Sequence, residues 1–403
     1  MNALRNKRRM RLNLIAALVF SGLSLNQAHA DTRGMVASAS SQMETRLVNS
    51  LLSITNNKLD VAMNEVDSLL KINPNFKLAQ LVKGDLLLAR AKPISNFGNA
   101  PDAEKRMEDF RDEARVRLLR VQDQQANSQI PKFLWQLDPE QKYAIVVDTS
   151  KSTLYLYENV NGEPNYVANY YISSGKKVGE KSAEGDQKTP LGVYFVKSSL
   201  PKNKLTDFYG SGAFPLSYPN EWDRKQGRDG HGIWLHGTPS DTFSRPPRAS
   251  NGCVVLSNQD LDSLGKVLQV GVTPVIITSQ MDWSNDQDKA DRAELLKSIE
   301  QWRTDWASRN TDVYLTHYAR DFSSSDNDFS SWAQQKKLVN SGKSWIKVNI
   351  SNLSIFTYPN EPNLVVVNFD QDYSSNNLSN RMKKRQYWVK RNSQWKIVYE
   401  GAA

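Results

Sequence analysis

The apolar positions along the chain change period, and each change marks a different kind of structure. Leu59, Ala62, Met63, Val66, Leu69, Leu70 and Ile72 recur at intervals of three and four, the spacing of one helix face. Asn73-Pro74-Asn75 interrupts the run, and Phe76, Ala79, Leu81, Val82, Leu86 and Ala89 start a second helix beyond the turn. After a loop with Pro93, Gly98 and Pro101, residues 102–125 predict a charged amphipathic helix with Met107, Phe110, Ala114, Leu118 and Val121 on its apolar side. Residues 31–130 are thus expected to be helical, to serve packing or self-association as a homodimer, and to present their charge runs to solvent.

From residue 142 the period shortens to two. Ala144-Ile145-Val146-Val147-Asp148 and residues 152–158, joined by Thr149-Ser150-Lys151, predict a β-hairpin. Further strands are expected over residues 166–173, 192–197, 232–235 and 275–278, giving a β-rich domain over residues 142–280. In residues 290–401 the helical period returns at Ala293, Leu296, Ile299, Trp302 and Trp306, and four alternating strands follow over residues 345–350, 364–369, 385–390 and 395–399. A helix followed by an antiparallel sheet is an α+β arrangement. Six of the ten Trp fall in this segment, where core filling is the expected use and a ligand pocket the alternative.

With 403 residues, the chain has room for two or three domains. Its 39% hydrophobic fraction excludes a disordered or collagen-like chain. One cysteine excludes an internal disulfide framework, an iron–sulfur site and a Cys-based zinc site. The net charge of +9 has a local source: Arg5, Lys7, Arg8, Arg9 and Arg11 precede an apolar run over residues 12–25 and then Ala28-His29-Ala30. Residues 1–30 therefore read as a secretory signal peptide cleaved before Asp31, leaving a mature chain of +4 in an exported compartment, expected to be the periplasm, with no stable membrane span. No basic helix or base-reading motif remains to suggest a nucleic-acid partner.

Candidate chemistry gathers around the single cysteine, Cys253. A thiol becomes a nucleophile when a neighbouring base or positive charge favours its thiolate, and His231 and His236 lie 22 and 17 residues upstream. On a strand, His231 shares a face with Ile233 and Leu235, whereas His236 shares the other with Trp234, so one of the two is expected to meet the thiol. His236, nearer the strand end and followed by Gly237, is the candidate base, and His231 a structural or substrate-side group. Gly252 permits a sharp turn that would leave backbone N–H groups near Cys253 free for an oxyanion. Ser257-Asn258-Gln259-Asp260 reads as a capping box for a helix over residues 261–268. His231, His236 and Cys253 lack a carboxylate or fourth ligand at suggestive spacing, and nothing in the sequence calls for a metal or an organic cofactor.

The string from His236-Gly237-Thr238 through Arg248-Ala249-Ser250-Asn251-Gly252-Cys253-Val254 resembles the active-site motif of the L,D-transpeptidase (YkuD) catalytic domain, in which His-Gly is followed some fifteen residues later by Ser/Thr-His-Gly-Cys. The opening hairpin, the loop with Gly185 and Thr189-Pro190-Leu191-Gly192, and Tyr218-Pro219-Asn220 resemble the same domain. Asn251 stands where the family usually has His, and Val255 where Arg or Asn is common. Residues 291–401 resemble the nuclear transport factor 2-like superfamily in element order and aromatic placement. The implied fold is multidomain: an α-helical N-terminal region, a β-rich L,D-transpeptidase domain and an α+β nuclear transport factor 2-like domain. This order is similar to that of cell-shape L,D-carboxypeptidases of helical bacteria.

The resemblance implies Cys253 as nucleophile, His236 as its base and the Gly237 carbonyl as the group that orients the imidazole. Ser250, Asn251 and Gly252 belong to the matching loop, and Arg248 is expected to contact a substrate carboxylate. The implied reaction cleaves the bond between meso-diaminopimelate and D-alanine in peptidoglycan tetrapeptide stems through a thioester. The acyl group is expected to pass to an amine, as in a transpeptidase; the alternative is water, as in an L,D-carboxypeptidase that trims tetrapeptides to tripeptides for cell-shape control. A non-catalytic wall-binding scaffold is the alternative of a different class.

Overall fold

The computed structural model describes residues 41–91, 98, 104–122 and 128–403. The expected signal peptide lies outside the described residues, as do Pro93 and Pro101. Among the described residues no helix is long and apolar enough to cross a membrane.

Four helices open the described chain: α1 (Ser41–Thr55), α2 (Leu59–Ile72), α3 (Lys77–Ala89) and α4 (Glu104–Gln122). The stripe expected on α2 is buried at Ala62, Met63, Val66 and Leu69, but Ile72 faces solvent. On α4 the expectation of a solvated charged face is corrected. Glu113, Arg117 and Arg120 are buried, whereas Val121 is exposed. These charges are inside because they neutralise one another: Arg117 pairs with Glu113 (2.8 Å) and with Glu44 of α1, and Arg120 pairs with Glu44 (2.8 Å).

The middle of the chain runs β1 (Leu134–Gln136), β2 (Tyr143–Asp148), β3 (Thr153–Val160), β4 (Glu163–Tyr171), β5 (Ser174–Gly175), β6 (Gly192–Phe195), β7 (Leu200–Pro201), β8 (Gly212–Pro215), α5 (Glu221–Lys225), β9 (Trp234–His236), β10 (Arg248–Ser250), β11 (Val254–Val255), α6 (Asn258–Gly265) and β12 (Pro274–Thr278). β2 and β3 form the expected antiparallel hairpin, and the five-stranded sheet has the order β4-β3-β2-β12-β6. A second sheet, β11-β9-β8-β7, holds β11 parallel to β9, and β10 lies parallel to β5. Ser257 caps α6 through the Asp260 N–H, while the Asp260 carboxylate accepts from the Ser257 hydroxyl instead of its N–H, so half of the expected capping box forms.

The last region is α7 (Asp286–Ala307), α8 (Thr311–Leu315), β13 (Tyr318–Ser323), α9 (Phe329–Ser341), β14 (Ile346–Thr357), β15 (Leu364–Ser375), β16 (Leu378–Arg391) and β17 (Gln394–Ala402). The buried face of α7 is Leu295, Ile299, Trp302 and Trp306; Ala293, expected on it, faces outward. Trp302, Trp306, Trp332, Trp388 and Trp395 fill the core, and Trp345 is exposed. The sheet has the order β1-β14-β15-β16-β17-β13, so its edge strand β1 comes from before the β-rich domain.

The two larger domains share a core. One face of the five-stranded sheet carries Ile145, Val147, Leu154, Leu156 and Ile277 and packs against Leu235, Val254 and Leu261 near the cysteine. Its other face carries Val146, Tyr155, Tyr157 and Ile276 and packs against Phe356, Val366, Tyr387 and Val398 of the C-terminal sheet. The helix α5 adds polar clamps: Glu221 accepts from Arg385 (3.1 Å) and from the Tyr387 hydroxyl (3.0 Å), and Trp222 stacks on Tyr387. Phe356 is fully buried at this junction, with its ring 6.1 Å from that of Phe195. Phe356→Ala is expected to cost about 3–5 kcal/mol, and differential scanning calorimetry should show the catalytic and C-terminal domains losing stability together.

Candidate functional site

The parallel pairing of β11 with β9 brings the two candidate residues to one place. Val254 lies beside Leu235 and Val255 beside His236. One step back, this register sets Cys253 beside Trp234, on the face that Trp234 shares with His236. The opposite face, with Leu235 and Val254, is in the core. His231 is elsewhere: its imidazole is largely exposed and lies 3.4 Å from Glu184.

Gly252 makes the turn into Cys253. Its φ is +131°, and a Cβ there would stand 2.8 Å from the Lys188 carbonyl oxygen, so a larger residue is excluded by conformation and by space. Ser250 locks the turn from inside, its hydroxyl donating to the Cys253 carbonyl (2.6 Å) and accepting from the Gly252 N–H (3.1 Å). Of the backbone N–H groups near Cys253 expected to be free for an oxyanion, that of Gly252 is engaged by Ser250. Asn251 projects outward, where its Oδ1 accepts from Lys176 Nζ (3.1 Å). Gly237 is also constrained, because a Cβ there would collide with Oδ1 of Asn258.

His236 is 1% exposed, and its Nδ1 lies 2.7 Å from the Gly237 carbonyl oxygen. A carbonyl only accepts, so Nδ1 carries the hydrogen and Nε2 of the neutral ring keeps a lone pair. Burial lowers the imidazole pKa to about 4; the Gly237 carbonyl opposes the shift, and the charge of Arg245 adds to it. At neutral pH the ring is an unprotonated base. The Cys253 thiol donates to the Gly232 carbonyl oxygen at 3.3 Å. Burial raises its pKa, while the Trp234 N–H and the charges of Arg245 and Lys181 pull the other way. The resting site thus pairs a neutral thiol with a neutral imidazole.

Three contributors escaped sequence reasoning. Phe208 and Tyr209, on the short 3-10 turn Asp207–Tyr209, lie against His236 with ring centroids 5.8 and 5.2 Å away. Arg245, in the loop between β9 and β10, places its guanidinium 4.8 Å from the Phe208 ring centroid. Arg248, the arginine chosen from sequence, is exposed on β10 and lines a cavity of about 190 Å³ with Lys177, Ser174 and Thr189. The segment Ser244-Arg245-Pro246-Pro247-Arg248 offers two arginines and no strand periodicity before Arg248 to decide between them.

The buried imidazole makes stability depend on pH. Its pKa is about 4 in the folded chain against 6.5 for an unperturbed histidine, so between these values the unfolded chain binds the proton and the folded chain does not. This contribution is whole above pH 6.5 and falls as the pH drops toward 4, by about 2–3 kcal/mol. Urea unfolding at pH 7 and 4.5 should show a smaller loss for His236→Gln than for the parent.

Comparisons with known proteins follow the same division of the chain. Residues 142–277 match the family model of the L,D-transpeptidase catalytic domain, and residues 294–401 match that of the Cds6 C-terminal NTF2-like domain. No curated protein sequence matches the chain. Among solved structures, Bd1075 of Bdellovibrio bacteriovorus is 28% identical with a TM-score of 0.60, over 68% of this chain and 98% of that one. The helical cell shape determining protein Pgp2 of Campylobacter jejuni is 27% identical with a TM-score of 0.59, over 68% of this chain and 96% of that one. The chain carries an L,D-transpeptidase catalytic domain, of a cysteine enzyme family, followed by a C-terminal NTF2-like domain of the Cds6 type.

Proposed function

We propose that the protein is an exported enzyme that uses Cys253 to cleave the bond between meso-diaminopimelate and D-alanine in peptidoglycan tetrapeptide stems, with water as the final acceptor. The observation that carries this reading is the buried, neutral His236 with Nδ1 tied to the Gly237 carbonyl, on the same strand face as Cys253. In the first step Nε2 takes the thiol proton as the sulfur attacks the carbonyl carbon, and the imidazolium returns that proton to the departing D-alanine nitrogen as the C–N bond breaks. In the second step the imidazole removes a proton from water attacking the thioester. The tripeptide carboxylate leaves and the thiol is restored.

The surroundings suit an anionic peptide. Lys176 and Lys177 lie beside Asn251 and Arg248, and the small cavity beside Arg248 has the size for a carboxylate and its neighbouring atoms. Ser250 and Gly252 fix the loop, and Asn251 offers an amide at its rim. Water is favoured by the likeness to a helical cell shape determining protein across most of both chains, together with the sequence resemblance to cell-shape carboxypeptidases. Transfer to an amine of a second stem is the other reading, favoured by the match to an L,D-transpeptidase domain. The basic leader, the expected wall substrate and the mature charge of +4 support a periplasmic location.

Mass spectrometry of the purified mature protein with a disaccharide tetrapeptide tests the reading. Loss of D-alanine with gain of water is expected; a stem dimer would replace it with the amine reading, and neither product would refute both. Cys253→Ala is expected to reduce D-alanine release by more than about a thousandfold.

A further inference from the structure

Residues 238–247 join the strand bearing His236 to the strand that leads to Cys253, and the N-terminal helices hold this segment along its length. Phe243 leaves the catalytic domain and is buried in the helical core, its ring centroid 4.5 Å from that of Phe76. Around it, Asn75 Nδ2 donates to the Ser240 carbonyl (3.2 Å), the Phe243 N–H donates to the Asn75 carbonyl (3.2 Å), and Lys77 Nζ donates to Thr242 Oγ1 (3.2 Å). The Ser244 hydroxyl donates to Glu113 Oε1 of α4 (2.7 Å). Arg117, paired with Glu113, lays its guanidinium 3.7 Å from the Tyr171 ring centroid, and the Tyr171 hydroxyl donates to the Arg245 carbonyl (2.9 Å).

These contacts converge on Arg245. A loop without ladder hydrogen bonds keeps a side chain in one place only when something outside it removes its freedom. Here the restraint comes from a different region of the chain. The Arg245 guanidinium lies over Phe208, whose ring lies against His236, so the cation is held on the His236 side of the site, where its charge disfavours imidazolium and favours thiolate. Of the other charged or titratable groups around the thiol, Lys181 is paired with Asp186 (2.7 Å) and His236 is neutral. Among the described residues Arg245 makes no ion pair with a carboxylate.

We infer that the helical region is a positioning element of the active site: Phe243, Ser244 and Glu113 hold residues 238–247 so that the Arg245 guanidinium stays against Phe208, on the His236 side of the site, and stabilises negative charge on the Cys253 sulfur. The inference rests on Cys253 being the nucleophile of the proposed function. Phe243, Ser244 and Glu113 act only through the loop. The helices thereby control how readily the thiol ionises, although none of them supplies a group to the reaction.

The test is the pH profile of Cys253 alkylation by iodoacetamide in the purified mature chain, read by mass spectrometry beside its thermal unfolding. Arg245→Gln is expected to move the profile up by about one pH unit, slowing alkylation at pH 7 by about tenfold, with Arg245→Lys restoring part of the rate. Phe243→Ala and Ser244→Ala are expected to move it in the same direction by about threefold. Ser244→Ala removes one hydroxyl and keeps the test valid should Phe243→Ala fail to fold. An Arg245→Gln profile that superimposes on the parent overturns the role of Arg245. A shift in Arg245→Gln with none in Ser244→Ala or folded Phe243→Ala overturns the role of the helices. Iodoacetamide needs no wall substrate, so these shifts in a protein inactive on tetrapeptide would refute the proposed function and leave the positioning intact.

Discussion

The shared core between the five-stranded sheet and the C-terminal sheet is the constraint on which the rest of the structure depends. A sheet buried on both faces places apolar side chains at successive positions, as in Ala144-Ile145-Val146-Val147 and Val275-Ile276-Ile277. One set of these residues supports Leu235 and Val254 next to His236 and Cys253, and the other set rests on Phe356, Val366 and Val398. The C-terminal domain is thus half of the packing that keeps the catalytic sheet in shape. Its own sheet is used in the same way, with Trp388 and Ile397 facing its helices and Tyr387 and Val398 facing the catalytic domain.

That double burial also explains where sequence reading succeeded and where it stopped. The hairpin of β2 and β3, the strand ending at His236 and the turn at Gly252 were legible, because period, turn residues and the His-Gly and Gly-Cys dipeptides are local signals. The run at residues 144–147 reads as a strand, but not as one with two buried faces, since the second partner is about two hundred residues away. The charges of α4 were misassigned to solvent for a related reason. Arg117 and Glu113 are buried because Glu44, Tyr171 and Ser244 complete their environment, and none of these is a neighbour along the helix. Arg245 was missed because a loop has no periodicity from which its direction follows.

Around Cys253 and His236, burial sets the protonation states more strongly than the motif does. A depressed imidazole and a raised thiol disfavour a preformed thiolate–imidazolium pair, so in the proposed reaction the proton moves as the sulfur attacks. Such a site holds little thiolate at neutral pH.

The short strand β1 gives the catalytic domain an unusual tether. Residues 130–132 run alongside residues 282–284, with the Lys132 N–H donating to the Asp282 carbonyl (3.0 Å) and the Ser284 N–H to the Ile130 carbonyl (2.8 Å), and β1 then enters the C-terminal sheet beside β14. The two ends of the catalytic domain are therefore clasped together, closing a loop of roughly 150 residues without a covalent bond. An unfolding catalytic domain whose clasp stays shut has fewer conformations to gain than a free chain, as with a crosslink, and this chain reaches that restraint without a second cysteine.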